Sequence, residues 1–216
     1  MAEPLPPYAQ FKYTYGHIIE ALVIELAKSA GHNVEGEQDE IILDDIVGHR
    51  DCVIDGAIVD VKSTSTLGFK KFKERTLAQR DDFGYLDQLD AYVVGSVMAN
   101  DPLVTVKDRG YLLAVDKQLG HMCLYEHRIR ESRIRARVAE CKHIVSLETP
   151  PACTCVSVPD GKSGNYKLDT KASYSPQKHS CFQNLRTFLY SDGPHYLTKV
   201  VRLPDVPEIT IDRTIH

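Results

Sequence analysis

Two aspartates and a lysine stand at a spacing that chemistry can use. The window runs Gly48-His49-Arg50-Asp51, then Val53 to Val59, then Asp60-Val61-Lys62-Ser63. Short Val- and Ile-rich runs on either side read as strands. Side chains alternate along a strand, so Asp60 and Lys62 share one face while Val61 turns to the other. Asp55-Gly56 is a favoured two-residue hairpin turn that brings Asp51 back beside Asp60. Two carboxylates that close repel, and one stays protonated unless a cation neutralises them. Hard carboxylate oxygens suit Mg²⁺ or Mn²⁺, which also bind phosphate oxygens directly. With Lys62 alongside to orient water or stabilise developing charge, the chemistry within reach is phosphodiester hydrolysis. An Asp-Val-Lys by itself is commonly a surface pair; the hairpin spacing to Asp51 gives this one its interest.

The elements that must position these groups are legible in the hydrophobic period. Ile18, Ile19, Leu22, Val23, Leu26 and Ala27 recur at helical spacing, which predicts a helix over 16–30 stopped by Gly31. Strands are predicted near 33–37, 40–47, 50–55 and 57–63, all in one sheet. Residues 64–82 are polar and basic, a loop or short helix. Helical character returns over 84–98, strands follow near 110–116 and 121–126 across the Lys117–Gly120 connection, and a basic helix is predicted over 128–142. Residues 3–7 read as a Pro-rich lead-in arm. After about Leu147, Pro150-Pro151 break the pattern, and a Cys-, Gly- and Ser-rich stretch runs to about residue 180. A short helix at 181–190 and a strand at 195–202 are predicted to close the chain. The order gives an α/β fold with a central mixed sheet flanked by helices. Two parts are expected, a core over 1–147 and a C-terminal extension over 148–216 that packs on it.

With 216 residues, 43% hydrophobic and 26% charged, the chain can bury a substantial core. The net charge of −4 excludes a chain that is basic throughout, so phosphate contacts need a local basic face. Two segments offer one: Lys70, Lys71, Lys73, Arg75 and Arg80, and Arg128, Arg130, Arg133, Arg135, Arg137 and Lys142. The start MAEPLPPYAQ lacks the basic and apolar runs of a secretory signal, and no apolar run spans a bilayer, so a cytoplasmic location away from membranes is expected. The six cysteines are accordingly expected to be reduced, with Cys52, Cys123 and Cys141 as small buried hydrophobes. No Walker A pattern occurs, so ATP dependence is not expected.

The ordered set Gly16 and Glu20, Gly48 and Asp51, Asp60, Lys62 and Ser63, then Gln88 and Tyr92 resembles the RecB-like, lambda-exonuclease-like branch of the PD-(D/E)xK nuclease superfamily. The resemblance covers about residues 15–95. It implies a restriction-endonuclease-like core and a Mg²⁺- or Mn²⁺-dependent deoxyribonuclease. Asp51 and Asp60 would bind the metal with the backbone carbonyl of Val61, and Glu20 would complete the site directly or through water. Lys62 would position the attacking water, and Gln88 and Tyr92, on one helix face, would support the site and the DNA strand. Many relatives carry His on the first helix; His17 is nearby but out of register. Asp60 replaces the commoner Glu, which shortens the reach to the metal by one methylene.

The stretch from Ala172 to Cys181 resembles the end of an iron–sulfur motif found in some of these enzymes. Ala172 and Ser175 stand where two thiolates belong, so an iron–sulfur cluster is not expected. Cys153-x-Cys155 with His179 and Cys181 offers a structural zinc set of unrecognised spacing, and a tail without metal is the expectation. The implied activity is an exonuclease acting on DNA ends, in the host cytoplasm if phage-encoded, beside a recombination or replication partner protein. A structure-specific or single-strand endonuclease is the alternative, as is a non-cleaving DNA- or protein-binding module. The module would lose Asp51, Asp60 or Lys62, and all three are present. Lys70, Lys71, Lys73, Arg75, Arg130, Arg133 and Arg137 are the expected DNA contacts, and the oligomeric state is left open.

Overall fold

The computed structural model describes residues 7–149 and 151–209. These fall into two compact units, one running to residue 149 and the other starting at Pro151.

In the first unit, helix α1 spans Pro7–Ser29. It starts well before residue 16; a proline is tolerated at a first helical position because its missing N–H would have no intrahelical partner there. The rest of the expected 3–7 arm lies outside the described residues. Strands β1 (Val34–Glu35), β2 (Glu40–Leu43), β3 (Ile46–His49), β4 (Cys52–Ile54) and β5 (Ala57–Thr64) follow. The predicted 40–47 strand is instead two, folded at Asp44-Asp45, both in the left-handed region (φ 48° and 69°). Aspartate tolerates that conformation because its short polar side chain can bond locally. The hairpin β2–β3 therefore forms its own two-stranded sheet, which corrects the expectation of one sheet for all four predicted strands.

The central sheet has order β1-β4-β5-β6-β7, with β6 over Arg109–Asp116 and β7 over Met122–Arg128. Strands β5 and β6 are parallel and the other pairs antiparallel, so the sheet is mixed. Between β5 and β6 the chain crosses over through α2 (Thr66–Lys73), a short 3₁₀ turn at Leu77–Gln79, and α3 (Tyr85–Met98). Ser65 caps α2 by accepting the Gly68 N–H, and both Asp81 carboxylate oxygens accept from the first turn of α3, at Tyr85 and Leu86.

The alternation of β5 sorts the layers. Val59 and Val61 face α1, packing with Ile24 and with Ile19 and Val23. Ile58 faces the other way with Leu112 and Ala114, into a core closed by Phe69, Phe72, Leu89 and Val93 of α2 and α3. Helix α4 (Glu131–Ser146) lays Ile134 and Val138 against Leu43 and Val94.

The second unit is an antiparallel five-stranded sheet, ordered β12-β10-β11-β9-β8. Its strands are β8 (Ser157–Pro159), β9 (Tyr166–Leu168), β10 (Arg186–Tyr190), β11 (Gly193–Lys199) and β12 (Glu208–Ile209), with short helices α5 (Thr170–Tyr174) and α6 (Lys178–Cys181). The predicted helix at 181–190 is corrected: only its first residue is helical, and Arg186–Tyr190 is a strand. Thr187, Phe188 and Tyr190 favour extended chain, and Tyr190 pairs with Gly193 across a tight turn at Ser191-Asp192.

One cation ties the first unit's loops together. Arg50 is 1% exposed, and its guanidinium donates to Asp101, Asp39 (2.7 Å), the Gly36 carbonyl (3.2 Å) and Ser96 Oγ (3.4 Å). Removing one side of a buried, fully bonded ion pair strands the other. Arg50→Ala is therefore expected to lower stability by about 3 kcal/mol in urea unfolding, with Arg50→Lys, which lacks the planar fork, recovering only part of it.

Candidate active site

The hairpin β4–β5 turns at Asp55-Gly56, both at positive φ (50° and 82°), as a type I′ turn requires. Asp55 is also pinned from outside, accepting the Asn33 N–H at 3.0 Å. Register then runs Ile54 to Ala57, Val53 to Ile58 and Cys52 to Val59. One residue further it sets Asp51 opposite Asp60, and Asp51 Oδ2 accepts the Val61 N–H at 2.6 Å. Cys52 faces the α1 core; burial pushes its thiol up to about 12, which leaves it an inert hydrophobe. Cys123 and Cys141, expected to be buried, are only half-buried.

Asp60 is 1% exposed. Lys62 Nζ lies 2.6 Å from Asp60 Oδ2 as an ion pair, yet that oxygen lacks a partner in good hydrogen-bond geometry. Lys62 instead donates to Gln88 Oε1 at 3.1 Å, and its Nζ lies 5.0 Å from the centre of the Tyr85 ring. Gln88 Nε2 in turn donates to the Tyr92 hydroxyl at 2.8 Å. Helix α3 thus carries a relay that fixes the ammonium beside the carboxylates. The Tyr92 ring sits where a side chain on residue 48 would go: a Cβ on Gly48 would meet Tyr92 Cε1 at 2.8 Å. Glycine at 48 is required by that approach.

Glu20 reaches the site from α1. Its charge pushes both aspartates up, and its carboxylate accepts from Gln38 Nε2. His17 lies 3.6 Å from Glu20 Oε2 with its side chain 76% exposed, so it belongs to the helix surface. Gly16 approaches Ser63, leaving ordinary contact room for a Cβ at 3.7 Å from its Oγ. The structure therefore gathers Glu20, Asp51, Asp60, Lys62, Gln88 and Tyr92 in one neighbourhood, with Val61 between Asp60 and Lys62.

Burial first, and the facing Asp60 second, push the Asp51 carboxyl up to about 7. Burial likewise pushes Asp60 up against the pull of Lys62. Two half-compensated carboxylates, one with a buried oxygen short of a hydrogen bond, form an all-oxygen set. That donor set fits a hard divalent cation, which would remove the mutual repulsion.

The basic segments differ from one another. On α4 and its approach four guanidiniums each have a carboxylate within ion-pair distance. Arg130 pairs with Asp90 (3.3 Å), Arg133 with Asp87 (3.2 Å), Arg135 with Glu131 (2.8 Å) and Arg137 with Glu140 (2.6 Å). Lys142 pairs with Asp45 at 2.7 Å. Asp90, fully buried, also binds His127 Nε2 (2.8 Å) and accepts the Arg130 N–H (3.1 Å). Near α2, Lys71 pairs with Asp82 at 2.9 Å, whereas Lys70, Lys73 and Arg75 have no carboxylate partner among the described residues.

Sequence reading missed Gln38 and Arg50. Gln38 holds Glu20 by its side chain and Asp51 through its backbone N–H to the Asp51 carbonyl (3.2 Å). Only the polar run Gly36 to Asp39, out of place between strands, hinted at a turn with work to do.

No protein-family model and no curated protein matches the chain. Among solved structures it is similar to one described as "Crystal structure of SSO0001", at 18% identity over 66% of this chain and a TM-score of 0.39. The match spans 63% of that chain, less than two thirds of its length. A likeness at this level carries no argument about fold or function.

The raised Asp51 pKa has a stability consequence. An acid held protonated in the fold keeps stability at low pH and loses it as pH rises from its unfolded value near 3.8 towards about 7. With EDTA present, Asp51→Asn is expected to be more stable than wild type at pH 8, by roughly 2–4 kcal/mol. Thermal melts should show that gap closing towards pH 4, and a constant gap would remove the electrostatic explanation.

Proposed function

We propose that this chain is a Mg²⁺- or Mn²⁺-dependent deoxyribonuclease with a PD-(D/E)xK-like core, most simply an exonuclease acting on DNA ends. One observation carries the reading: Asp51 and Asp60 face each other across a hairpin, with Lys62 strung between Asp60 and Gln88. A purely structural lysine would be satisfied by the ion pair alone. Here a second residue aims it, and a third aims that one.

Asp51 and Asp60 would hold the cation, joined by the Val61 carbonyl and by Glu20 directly or through water. When bound, such a cation polarises a phosphoryl oxygen and makes water a better nucleophile at neutral pH. Lys62, held at its ammonium by Gln88, positions that water or meets the charge that develops on the phosphoryl oxygens. Because Gln88 is itself braced by Tyr92, the ammonium needs little rearrangement as charge builds up, which is where fixed donors contribute most. Lys70, Lys73 and Arg75, free of carboxylates, are the better placed of the two basic sets to meet the DNA backbone.

The deciding experiment is digestion of end-labelled linear and closed-circular DNA with Mg²⁺, Mn²⁺ or EDTA. Metal-dependent loss of linear DNA alone is expected, reduced at least about 10³-fold by Asp60→Ala. Cutting of circles would make the enzyme an endonuclease, and binding without any cleavage would make it a DNA-binding module. Binding should separate the two basic sets. The triple change Lys70→Gln, Lys73→Gln, Arg75→Gln is expected to weaken affinity and flatten its salt dependence by about 2–3 in log–log slope. Changing Arg133, Arg135 and Arg137 to Gln should alter that slope by less than about one, since their charges are already paired.

A further inference from the structure

The second unit holds three sulfurs in one place. Cys153 and Cys181 are joined in a disulfide, which overturns the expectation of six reduced thiols. Cys155, a free thiol, completes a group in which all three sulfurs lie within 4.8 Å of one another. A disulfide needs two sulfurs, and nothing about it calls for a third at that range. The Cys155 N–H donates to Cys153 Sγ at 3.4 Å. Backbone donors of this kind stabilise sulfur that carries negative charge, as a metal-bound thiolate does.

The unit also has reason to need a tie. It spans few residues, and among the described ones its buried apolar side chains come down to Leu168, Ala172, Leu185, Phe188 and Leu197. Domains of this size that lack a large core are usually held by disulfides or a metal. Cys155, Phe182 and Tyr196 pack against that small cluster, so the sulfurs sit at its edge.

We propose that, in the reduced protein, Cys153, Cys155 and Cys181 bind a structural Zn²⁺, independently of the nuclease reading. Soft thiolates brought together from two chain segments, Cys153 and Cys155 from one and Cys181 from the other, select zinc over Mg²⁺ or Mn²⁺. A phosphine opens the disulfide by giving up two electrons and becoming its oxide, with water supplying the oxygen and the two thiol protons, and the three thiols give up their protons to solvent as the ion binds. Among the described residues no histidine or carboxylate lies within the range of the three sulfurs, so the thiolates would supply three of the four positions that zinc takes.

The test uses the full chain, reduced with a phosphine and kept free of chelator, with Zn²⁺ alone as the probe. Elemental analysis is expected to give about one zinc per chain, falling to background in Cys155→Ser and unchanged in Cys123→Ser. Titration of the reduced wild type with Co²⁺ provides a second measure should Cys155→Ser fail to fold. Thiolate-to-cobalt charge-transfer absorption, displaced by Zn²⁺, is the expected result. Reduced wild type that takes up neither ion would overturn the proposal, and so would iron with a visible iron–sulfur spectrum. Zinc retained in a folded Cys155→Ser would do the same.

Discussion

Two carboxyl groups share one place, and much of the first unit is arranged around that fact. The β4–β5 register leaves no choice about it: once Asp55-Gly56 turns and Cys52 pairs with Val59, Asp51 and Asp60 must meet. Water cannot dilute the repulsion, because Asp60 is buried. The fold answers with a Val61 amide on Asp51 and the Lys62 ammonium on Asp60, and it still leaves an oxygen short of a hydrogen bond. A sequence selected only for stability would place apolar groups there, since a buried, incompletely bonded carboxylate is among the more expensive things a core can hold.

The surroundings are built to keep that arrangement still. Arg50 and Asp51 are neighbours in the chain, yet one is buried in an ion network with Asp39 and Asp101 while the other faces Asp60. The strongest anchor of the loops is therefore a single peptide away from the facing carboxylates. On the far side α3, capped by Asp81, presents Gln88 and Tyr92 from one face, so the lysine is aimed by a rigid helix rather than a loop. Rigidity here serves position, since displacement by a fraction of an ångström costs a preorganised site most of its effect.

Local rules made the strand pair β4–β5, helix α3 and strands β6 and β7 legible, because each is written in nearby residues: a turn dipeptide, a clear period, a bounded apolar run. The residues Asp51, Asp60, Lys62, Gln88 and Tyr92 could be picked out for the same reason, being spaced by the periods of the elements that carry them. What escaped was set elsewhere. Asp44-Asp45 folds one predicted strand into two through a left-handed backbone that few residues adopt, and in the second unit Arg186–Tyr190 is drawn into a strand by pairing with β11 across the turn at Ser191-Asp192. Gln38 and Arg50 gain their roles from partners far away in the chain. The basic helix read as a cationic face partly because three of its carboxylate partners, Asp45, Asp87 and Asp90, lie on other elements.

The approach of Tyr92 to residue 48 has a consequence for how such a chain can vary. The tyrosine ring fills the volume a Cβ would need, and its hydroxyl is the far end of the relay to Lys62. Neither position can drift alone: any side chain at 48 displaces the ring, and a smaller residue at 92 opens the space but releases Gln88. Two distant codons are thereby bound into a single heritable unit, and among descendants of this chain they should be kept, or lost, together.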